Sequence, residues 1–198
     1  MVVRERKNYK GENIQLEEWK IKIQEDFPFM EQDPNDDGNI YRKWGFECSG
    51  GWSKLLRECC EAIVARYAEE GIGLDDIDFE PAQIKEKFGT LRFYYGFRGE
   101  PCGIAALDFL GSGIGIRFKP GDDSLDGRTT QLRDDIAHIV HEAEIKSKST
   151  CEMCGAEGIL RDDSDIGIYW VKTLCDSCHE KRIAKYEKET KKILSELK

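Results

Sequence analysis

The clearest pattern of apolar positions in this chain lies at residues 52–70. Apolar side chains recur there at spacings of three and four residues, which is the period of one helix face. They are Trp52, Leu55, Leu56, Cys59, Ile63 and Tyr67. Gly71 follows at once, and glycine commonly ends helices. We therefore predict a core-facing helix, and because Cys60 lies outside the stripe we expect its thiol to be half-exposed.

A second helical pattern runs to about residue 148. Thr129 or Thr130 precedes it as a suitable N-cap, because a threonine hydroxyl accepts a hydrogen bond from a free N–H of the first turn. The apolar residues fall in one arc: Leu132, Ile136, Ile139, Val140 and Ala143. Residues 13–26 also favour a helix, although their apolar positions form no clean stripe, and Pro28 ends that segment.

Three potential metal ligands lie on the polar side of the later helix. His138, His141 and Glu142 project away from its apolar arc, among solvated residues. A metal site there would need a further ligand and some burial. Exposed histidines are therefore the better interpretation.

Alternating apolar and polar residues predict a β-hairpin about Gly89. Residues 83–88 and 90–95 each alternate with a period of two, which is typical of strands. The second strand is aromatic on both faces, so we expect it to lie centrally in a sheet. Glu86 and Arg92 are candidates for a cross-strand ion pair.

Further extended segments are expected at residues 41–48 and within the glycine-rich stretch that follows the hairpin. Residues 103–110 and 114–118 are typical of two strands joined by a turn at 111–113. A phosphate-binding loop at residues 111–115 is the less favoured alternative, because no helix and no Lys-Ser/Thr pair follows it.

The strongest chemical signal is a pair of Cys-x2-Cys motifs. Cys151 and Cys154 form the first, with Gly155 after them, and Cys175 and Cys178 form the second. Their separation is close to that of four-cysteine zinc sites, in which four thiolates complete the tetrahedral coordination of Zn²⁺. We predict that these four cysteines bind one structural zinc ion and that the site contains no catalytic residue.

The first motif has the form of a zinc knuckle, and the residues after it predict a short hairpin from segments 158–160 and 166–174. The second motif opens a final helix at residues 179–198, which is locally basic. Knuckle, hairpin and helix is the order of a treble-clef finger. The whole pattern predicts an α+β fold with a small antiparallel sheet packed with helices, plus this C-terminal finger. We place the α+β body at residues 1–127 and the helix, finger and final helix at residues 128–198.

Composition restricts the function classes. The 198 residues carry a formal charge of −9 and a pI near 5.0, which disfavours general coating of nucleic acid and permits a basic partner. No apolar run has the length of a membrane span, and no signal peptide is recognisable. We expect a cytoplasmic protein with reduced cysteines. The four outside the motifs, Cys48, Cys59, Cys60 and Cys102, we interpret as small apolar residues of the interior, with Cys60 half-exposed at its margin.

An acidic loop resembles the first half of a calcium loop. Asp33, Asn35 and Asp37 occupy ligand positions, and Gly38 follows at the expected place. The twelfth position, which should hold a bidentate glutamate, is Trp44. We therefore favour an Asp/Asn/Gly turn over a calcium site.

Residues 174–179, Leu-Cys-Asp-Ser-Cys-His, resemble the tail of HNH endonucleases, where such a segment holds the structural zinc. In that family, histidines between the two cysteine pairs bind the catalytic metal. Residues 155–174 contain no histidine. The resemblance therefore implies a shared scaffold without nuclease activity.

A broader resemblance rests on Trp44-Gly-Phe-Glu47, Gly51-Trp52, Lys85-Glu-Lys-Phe-Gly-Thr-Leu-Arg-Phe-Tyr94 and the Cys-x2-Cys-Gly motif. These resemble a family of small uncharacterised proteins of bacteriophages and bacterial genomes, over about residues 41–95 and 130–180. The resemblance implies a phage or prophage setting in a bacterial cytoplasm, and it implies no mechanism.

Three functions are compatible with these patterns. The leading hypothesis is a non-enzymatic, zinc-binding interaction protein that engages a protein partner, such as a host or defence protein. The alternative is a nucleic-acid-binding module that uses the finger and the basic final helix. A further alternative is a small-ligand binder or enzyme with a pocket around Trp52, Glu86, Arg92 and Tyr94, which would have to converge.

Overall fold

The structure is a computed structural model that describes residues 2–7, 10–100, 106–108, 115–117 and 127–196. Its helices are α1 (Glu18–Asp26), α2 (Ile40–Trp44), α3 (Ser53–Glu69), α4 (Gly127–Ser147) and α5 (Asp176–Glu196). Its strands are β1 (Glu5–Lys7), β2 (Asn13–Gln15), β3 (Phe46–Glu47), β4 (Phe79–Lys87), β5 (Thr90–Phe97), β6 (Ala106–Asp108), β7 (Gly115–Arg117), β8 (Ile159–Asp163) and β9 (Ile168–Leu174). Short 3-10 turns lie at Pro28–Met30, Gly50–Trp52, Leu74–Asp76 and Ser164–Ile166. These elements confirm the predicted α+β class.

The main sheet has the strand order β3–β4–β5, with β3 parallel and β5 antiparallel to β4. The hairpin predicted about Gly89 is confirmed. Phe88 and Gly89 form its turn with φ angles of 53° and 72°, which suits a two-residue hairpin connection. A Cβ on Gly89 would also overlap Leu160, so this turn lies against the C-terminal hairpin of β8 and β9.

Strand β5 lies at the edge of the main sheet, so the prediction of a central position is wrong. Helix α4 covers this edge. The N–H of Leu91 donates a 2.9 Å hydrogen bond to Ser147 Oγ, and the N–H of Phe93 donates one of 2.9 Å to Glu144 Oε1. These side chains occupy the donors that an added strand would use, so the edge is blocked against further pairing.

The predicted ion pair between Glu86 and Arg92 does not fit the register. Glu86 pairs with Leu91 across the hairpin, and Arg92 pairs with Lys85. Because successive side chains of a strand point to opposite faces, Glu86 and Arg92 lie on opposite faces of the sheet. That prediction is therefore wrong.

The core surrounds α3, which contacts both α1 and α4. The predicted stripe is confirmed, with Trp52, Leu56 and Ile63 fully buried. Cys60 is fully buried as well, so the expectation of a half-exposed thiol is wrong. Two helices pack on α3, and it therefore buries a wider arc than a single stripe. Burial raises the pKa of the Cys60 thiol well above its ordinary value.

The N-terminal segment is not one helix over residues 13–26. Asn13–Gln15 forms β2, which pairs with β1, and α1 begins only at Glu18. The predicted end is confirmed, because α1 stops at Asp26, just before Pro28. A strand of three residues depends on its partner, which periodicity within one segment does not reveal.

Residues 41–48 are helical first and extended only briefly. Asn39 Oδ1 accepts a 3.0 Å hydrogen bond from the N–H of Arg42 and so caps α2. Gly45 ends the helix with a φ of 67°. Only Phe46–Glu47 then forms a strand, so the prediction of a continuous extended segment is wrong.

The fourth helix begins at Gly127, before Thr129 and Thr130, so neither threonine is its N-cap. His138 and His141 are exposed, as their position on the polar side predicts. Strands β6 and β7 pair antiparallel within the two strands predicted there. The turn at 111–113, residues 111–114 of the phosphate-loop alternative and Cys102 lie outside the described residues. The division of the chain after residue 127 stays a prediction.

Candidate metal centre

The four predicted cysteines come together between a β-hairpin and a helix. The sulfur atoms of Cys151, Cys154, Cys175 and Cys178 all lie within 4.8 Å of one another, and those of Cys154 and Cys175 are 3.6 Å apart. Four sulfurs about 2.3 Å from a central Zn²⁺ would be separated by about 3.8 Å. The cluster is consistent with a zinc-binding site.

The first pair of cysteines is presented by a tight knuckle. The N–H of Gly155 donates a 2.9 Å hydrogen bond to the carbonyl of Cys151, and the N–H of Cys151 donates one of 2.7 Å to the carbonyl of Ala156. Gly155 has a φ of 79°, a conformation that glycine adopts without a steric penalty. The turn therefore requires the glycine that follows the first motif.

The second pair of cysteines lies where β9 passes into α5. Cys175 directly precedes the helix, and Cys178 occupies its first turn. The free N–H groups and the dipole at a helix N-terminus favour negative charge. A thiolate cluster at this end of α5 is thus stabilised by the helix.

The thiols differ in acidity. Burial raises the pKa of Cys151, but three backbone N–H groups point at its sulfur and lower that pKa to about 7. These N–H groups belong to Cys175, Cys154 and Met153. Burial and the neighbouring thiols raise the pKa of Cys178 to about 12. Cys151 therefore forms a thiolate, the form that binds metal, more readily than Cys178 does.

The knuckle sits directly on the α+β body. The N–H of Gly51 donates a 2.8 Å hydrogen bond to the carbonyl of Glu152, and the indole N–H of Trp52 donates one of 2.9 Å to the carbonyl of Thr150. A Cβ on Gly51 would overlap the carbonyls of Cys151 and Glu152. The close approach of the two backbones therefore depends on glycine at position 51.

A buried carboxylate completes this contact. The side chain of Glu152 is only 2% exposed. Its Oε1 accepts a 2.9 Å hydrogen bond from Ser49 Oγ, and its Oε2 accepts one of 2.5 Å from Lys172 Nζ. Burying a carboxylate is unfavourable unless it is paired and hydrogen-bonded, and both conditions are met here. Sequence reasoning missed Gly51 and Glu152 as contact residues, although the Gly50-Gly51 pair was a local signal.

The hairpin makes a second contact with the turn of β4 and β5. Thr173 Oγ1 donates a 2.7 Å hydrogen bond to the carbonyl of Gly89, and the indole N–H of Trp170 donates one of 2.6 Å to Glu86 Oε2. Glu86 thus binds Trp170 of the C-terminal hairpin, and Arg92 is not the partner that the sequence predicted for it. The four-cysteine unit is fixed to the body at both the knuckle and the hairpin.

His179 holds α5 against the hairpin and is not part of the cysteine cluster. Its Nε2 lies 2.6 Å from Oδ1 of the buried Asp163, whose Oδ2 accepts a 3.3 Å hydrogen bond from Arg182. Tyr186 also bonds to the hairpin, because its hydroxyl donates a 3.2 Å hydrogen bond to the carbonyl of Gly167. After Tyr186 the helix is largely exposed, and none of the residues described for α5 is buried. The last turns of this helix are therefore uncovered, with Ile193 and Leu194 both exposed.

The acidic loop near residue 35 adopts the turn that was favoured over a calcium site. Asp33 Oδ1 accepts a 3.0 Å hydrogen bond from the N–H of Asn35, and Asp36 Oδ1 accepts one of 2.9 Å from the N–H of Gly38. Lys43 pairs with Asp37. Within the described ranges, the four cysteines alone form a group of three or more ligand-type residues close enough to share an ion.

The residues proposed for a ligand pocket do not converge. Trp52 is fully buried in the core, and Glu86 and Arg92 lie on opposite faces of the sheet. Tyr94 lies on the face of Arg92, where the ammonium of Lys85 is 5.5 Å from the centre of its ring. This set therefore cannot form one binding site.

Comparisons with protein-family models, with curated proteins and with solved structures find no match to this chain. None of the helices in the described part of the chain combines the length and the apolar character needed to cross a membrane.

Proposed function

We propose that this chain is a non-enzymatic interaction protein whose C-terminal unit is held in shape by one structural Zn²⁺. The observation that carries the proposal is the convergence of four cysteine sulfurs within 4.8 Å. Cys151, Cys154, Cys175 and Cys178 would complete the tetrahedron, so the metal would have no open position for a substrate. Its contribution is then to folding, because the binding free energy of such a site stabilises the surrounding structure.

The distribution of exposed apolar side chains supports an interaction role. Thirteen large apolar residues are exposed in the described ranges, and eight of them belong to residues 151–196, about a quarter of the chain. These eight are Met153, Ile159, Leu160, Ile166, Tyr169, Trp170, Ile193 and Leu194. Concentrated apolar exposure of this kind is typical of surfaces that contact a partner. In the phage setting that the motif resemblance implies, the partner would be a bacterial host or defence protein.

The nucleic-acid alternative has less support. Helix α5 carries six basic side chains but also five acidic ones, so the helix is nearly neutral. Binding to nucleic acid depends mainly on uncompensated positive charge.

Metal analysis of the purified full-length chain tests the zinc site. We expect one zinc per chain in the wild type, and a reduced zinc content with a lower melting temperature in Cys175→Ser. Cys48→Ser, a half-buried cysteine outside the cluster, is the matched control and should keep its zinc. Unchanged metal content and melting in Cys175→Ser would overturn the assignment.

A pull-down of the tagged protein from bacterial lysate, with and without nuclease, tests the interaction role. A defined protein partner that survives nuclease treatment supports the proposal. Recovery that disappears with nuclease would favour the nucleic-acid alternative, and no recovery in either arm would count against an interaction role.

A further inference from the structure

Strand β9 bulges opposite Asp162. The register pairs Arg161 with Lys172 and then Asp163 with Ile168, so residues 169–171 face a single residue of β8. A bulge redirects the side chains of the strand that carries it. Tyr169 is 83% exposed and Trp170 63% exposed, although consecutive residues of a regular strand point to opposite faces. The bulge therefore presents two aromatic rings to solvent at the position opposite Asp162 in the register.

Trp170 is held in a fixed orientation. Its indole N–H is bound by Glu86 at 2.6 Å, and its carbonyl accepts a hydrogen bond from Arg182. No aromatic ring or cation among the described side chains stacks on Tyr169 or Trp170. Both rings thus offer free π faces, and the prior ordering of Trp170 reduces the entropy lost on binding.

The charge around these rings is negative. Asp162 and Asp165 are exposed, and no basic group in the described ranges forms an ion pair with either. Three basic side chains of the hairpin and the adjoining helix are already paired: Arg161 with Asp176, Lys172 with Glu152 and Arg182 with Asp163. Residues 151–178 contain six carboxylates and two basic side chains, a formal charge of −4. A zinc ion with four thiolates would add about −2.

We infer that Tyr169, Trp170, Asp162 and Asp165 form a docking face for a cationic, arginine-containing segment of a partner protein. A guanidinium group stacks on an aromatic ring and pairs with a carboxylate at the same time, which a lysine ammonium does less well. The same negative charge repels the phosphates of nucleic acid and disfavours a second copy of this acidic chain. This inference names the partner class for the proposed function and rests on it.

The experiment uses the full-length, zinc-loaded protein and a fluorescein-labelled nona-arginine peptide, measured by fluorescence anisotropy. A nona-lysine peptide and a single-stranded DNA of similar length serve as competing probes. We expect saturable binding of the arginine peptide, weaker binding of the lysine peptide and no binding of DNA. Tyr169→Ala and the double variant Asp162→Asn/Asp165→Asn should each weaken binding about threefold or more, the size of one cation–π or ion-pair contact.

The matched control is the double variant Asp75→Asn/Asp76→Asn. It removes the same charge from an exposed turn just before β4, at the end of that strand opposite to Glu86. We expect this variant to change affinity less than twofold. Equal losses in both double variants, or binding unaffected by Tyr169→Ala, would overturn the inference and leave only general attraction to an acidic protein. DNA binding at this face would also overturn it.

Metal content separates this inference from the function on which it rests. Tyr169→Ala and the two double variants are first checked for one zinc per chain and an unchanged melting temperature, because their side chains are exposed and their loss should not unfold the hairpin. A further variant, Trp170→Phe, keeps an aromatic ring but removes the hydrogen bond to Glu86. We expect its affinity for the arginine peptide to lie between those of the wild type and Tyr169→Ala. Zinc-loaded protein that fails to bind the arginine peptide contradicts this inference alone. Protein without zinc contradicts the proposed function itself.

Discussion

The N–H of Gly51 donates a 2.8 Å hydrogen bond to the carbonyl oxygen of Glu152, which joins the turn before α3 to the knuckle that carries Cys151 and Cys154. The next residue, Trp52, is fully buried and also bonds to the C-terminal segment through Thr150. The candidate metal centre and the hydrophobic core therefore meet at two consecutive residues, Gly51 and Trp52. A substitution in the hydrophobic core should therefore alter the cysteine cluster, and a substitution in the cluster should alter the packing of the core.

Gly51→Ala tests this contact. The added Cβ would overlap the carbonyls of Cys151 and Glu152, and backbone atoms cannot move aside as a flexible side chain can. We expect a loss of about 2 kcal/mol or more in the free energy of unfolding. Denaturant unfolding followed by circular dichroism measures it, with zinc content recorded in parallel.

Gly96→Ala is the control for that substitution. Nothing lies within 4 Å of a Cβ built on Gly96, which is also part of a β-strand. We expect the control to be neutral or slightly stabilising, because alanine restricts the unfolded chain more than glycine does. Equal stability of the two variants would contradict the close packing at Gly51.

The contribution of Asp78 should appear in the pH dependence of the free energy of unfolding. Burial raises the pKa of this carboxyl, but hydrogen bonds from Arg133 and Tyr67 outweigh burial and leave the pKa below its ordinary value. A carboxyl with a lowered pKa in the folded state stabilises the protein above its unfolded pKa, and that contribution is lost as the pH falls through the folded pKa. We therefore expect Asp78→Asn to destabilise the protein by about 1–3 kcal/mol at pH 7.

The difference between wild type and Asp78→Asn should shrink as the pH is lowered below about 4. Urea unfolding at several pH values measures this trend. Asp75→Asn, at an exposed turn residue, is the comparison and should show a small difference at every pH. A constant gap between wild type and Asp78→Asn would argue against the ionised pair with Arg133.

Ser147→Ala removes one of the two α4 groups that block the edge of β5. Ser147 is fully buried, and its Oγ is the acceptor for the N–H of Leu91. Leaving that N–H without an acceptor should cost about 1–3 kcal/mol. An open edge also favours strand pairing between molecules, so we expect more self-association in sedimentation experiments.

Ser149→Ala is the matched control, since Ser149 is exposed and its hydroxyl donates a hydrogen bond to the carbonyl of Lys146 at the end of α4, away from β5. It should leave both stability and sedimentation unchanged. If Ser147→Ala behaved like Ser149→Ala, the hydrogen bond to Leu91 would not protect the edge.

The features predicted correctly from sequence are local ones. The α3 stripe recurs at helical spacing, and Gly89 lies between two alternating segments. The spacing of the two cysteine pairs predicted that the four cysteines converge, because a tetrahedral metal site requires two short turns whose sulfurs point inward. In each case a few neighbouring residues contain the whole signal.

The features predicted wrongly depend on partners distant in sequence. Cys60 is buried because two other helices pack on α3. Strand β5 remains an edge strand because side chains of α4 occupy its N–H groups. Glu86 turns to Trp170 because the strand register places it on the face opposite to Arg92. None of these partners can be identified from the segment that carries the residue.

By itself, the sequence determined the α+β class, the main helix and hairpin, and the four residues of the candidate metal centre. Only the tertiary structure decided that the centre is joined to the core at Gly51 and that the bulge in β9 exposes Tyr169 and Trp170 opposite Asp162. The physical reason is that periodicity and spacing report conformations set by neighbours along the chain. Docking, register and burial arise from contacts between segments, and they fix which side chains the molecule offers to a partner.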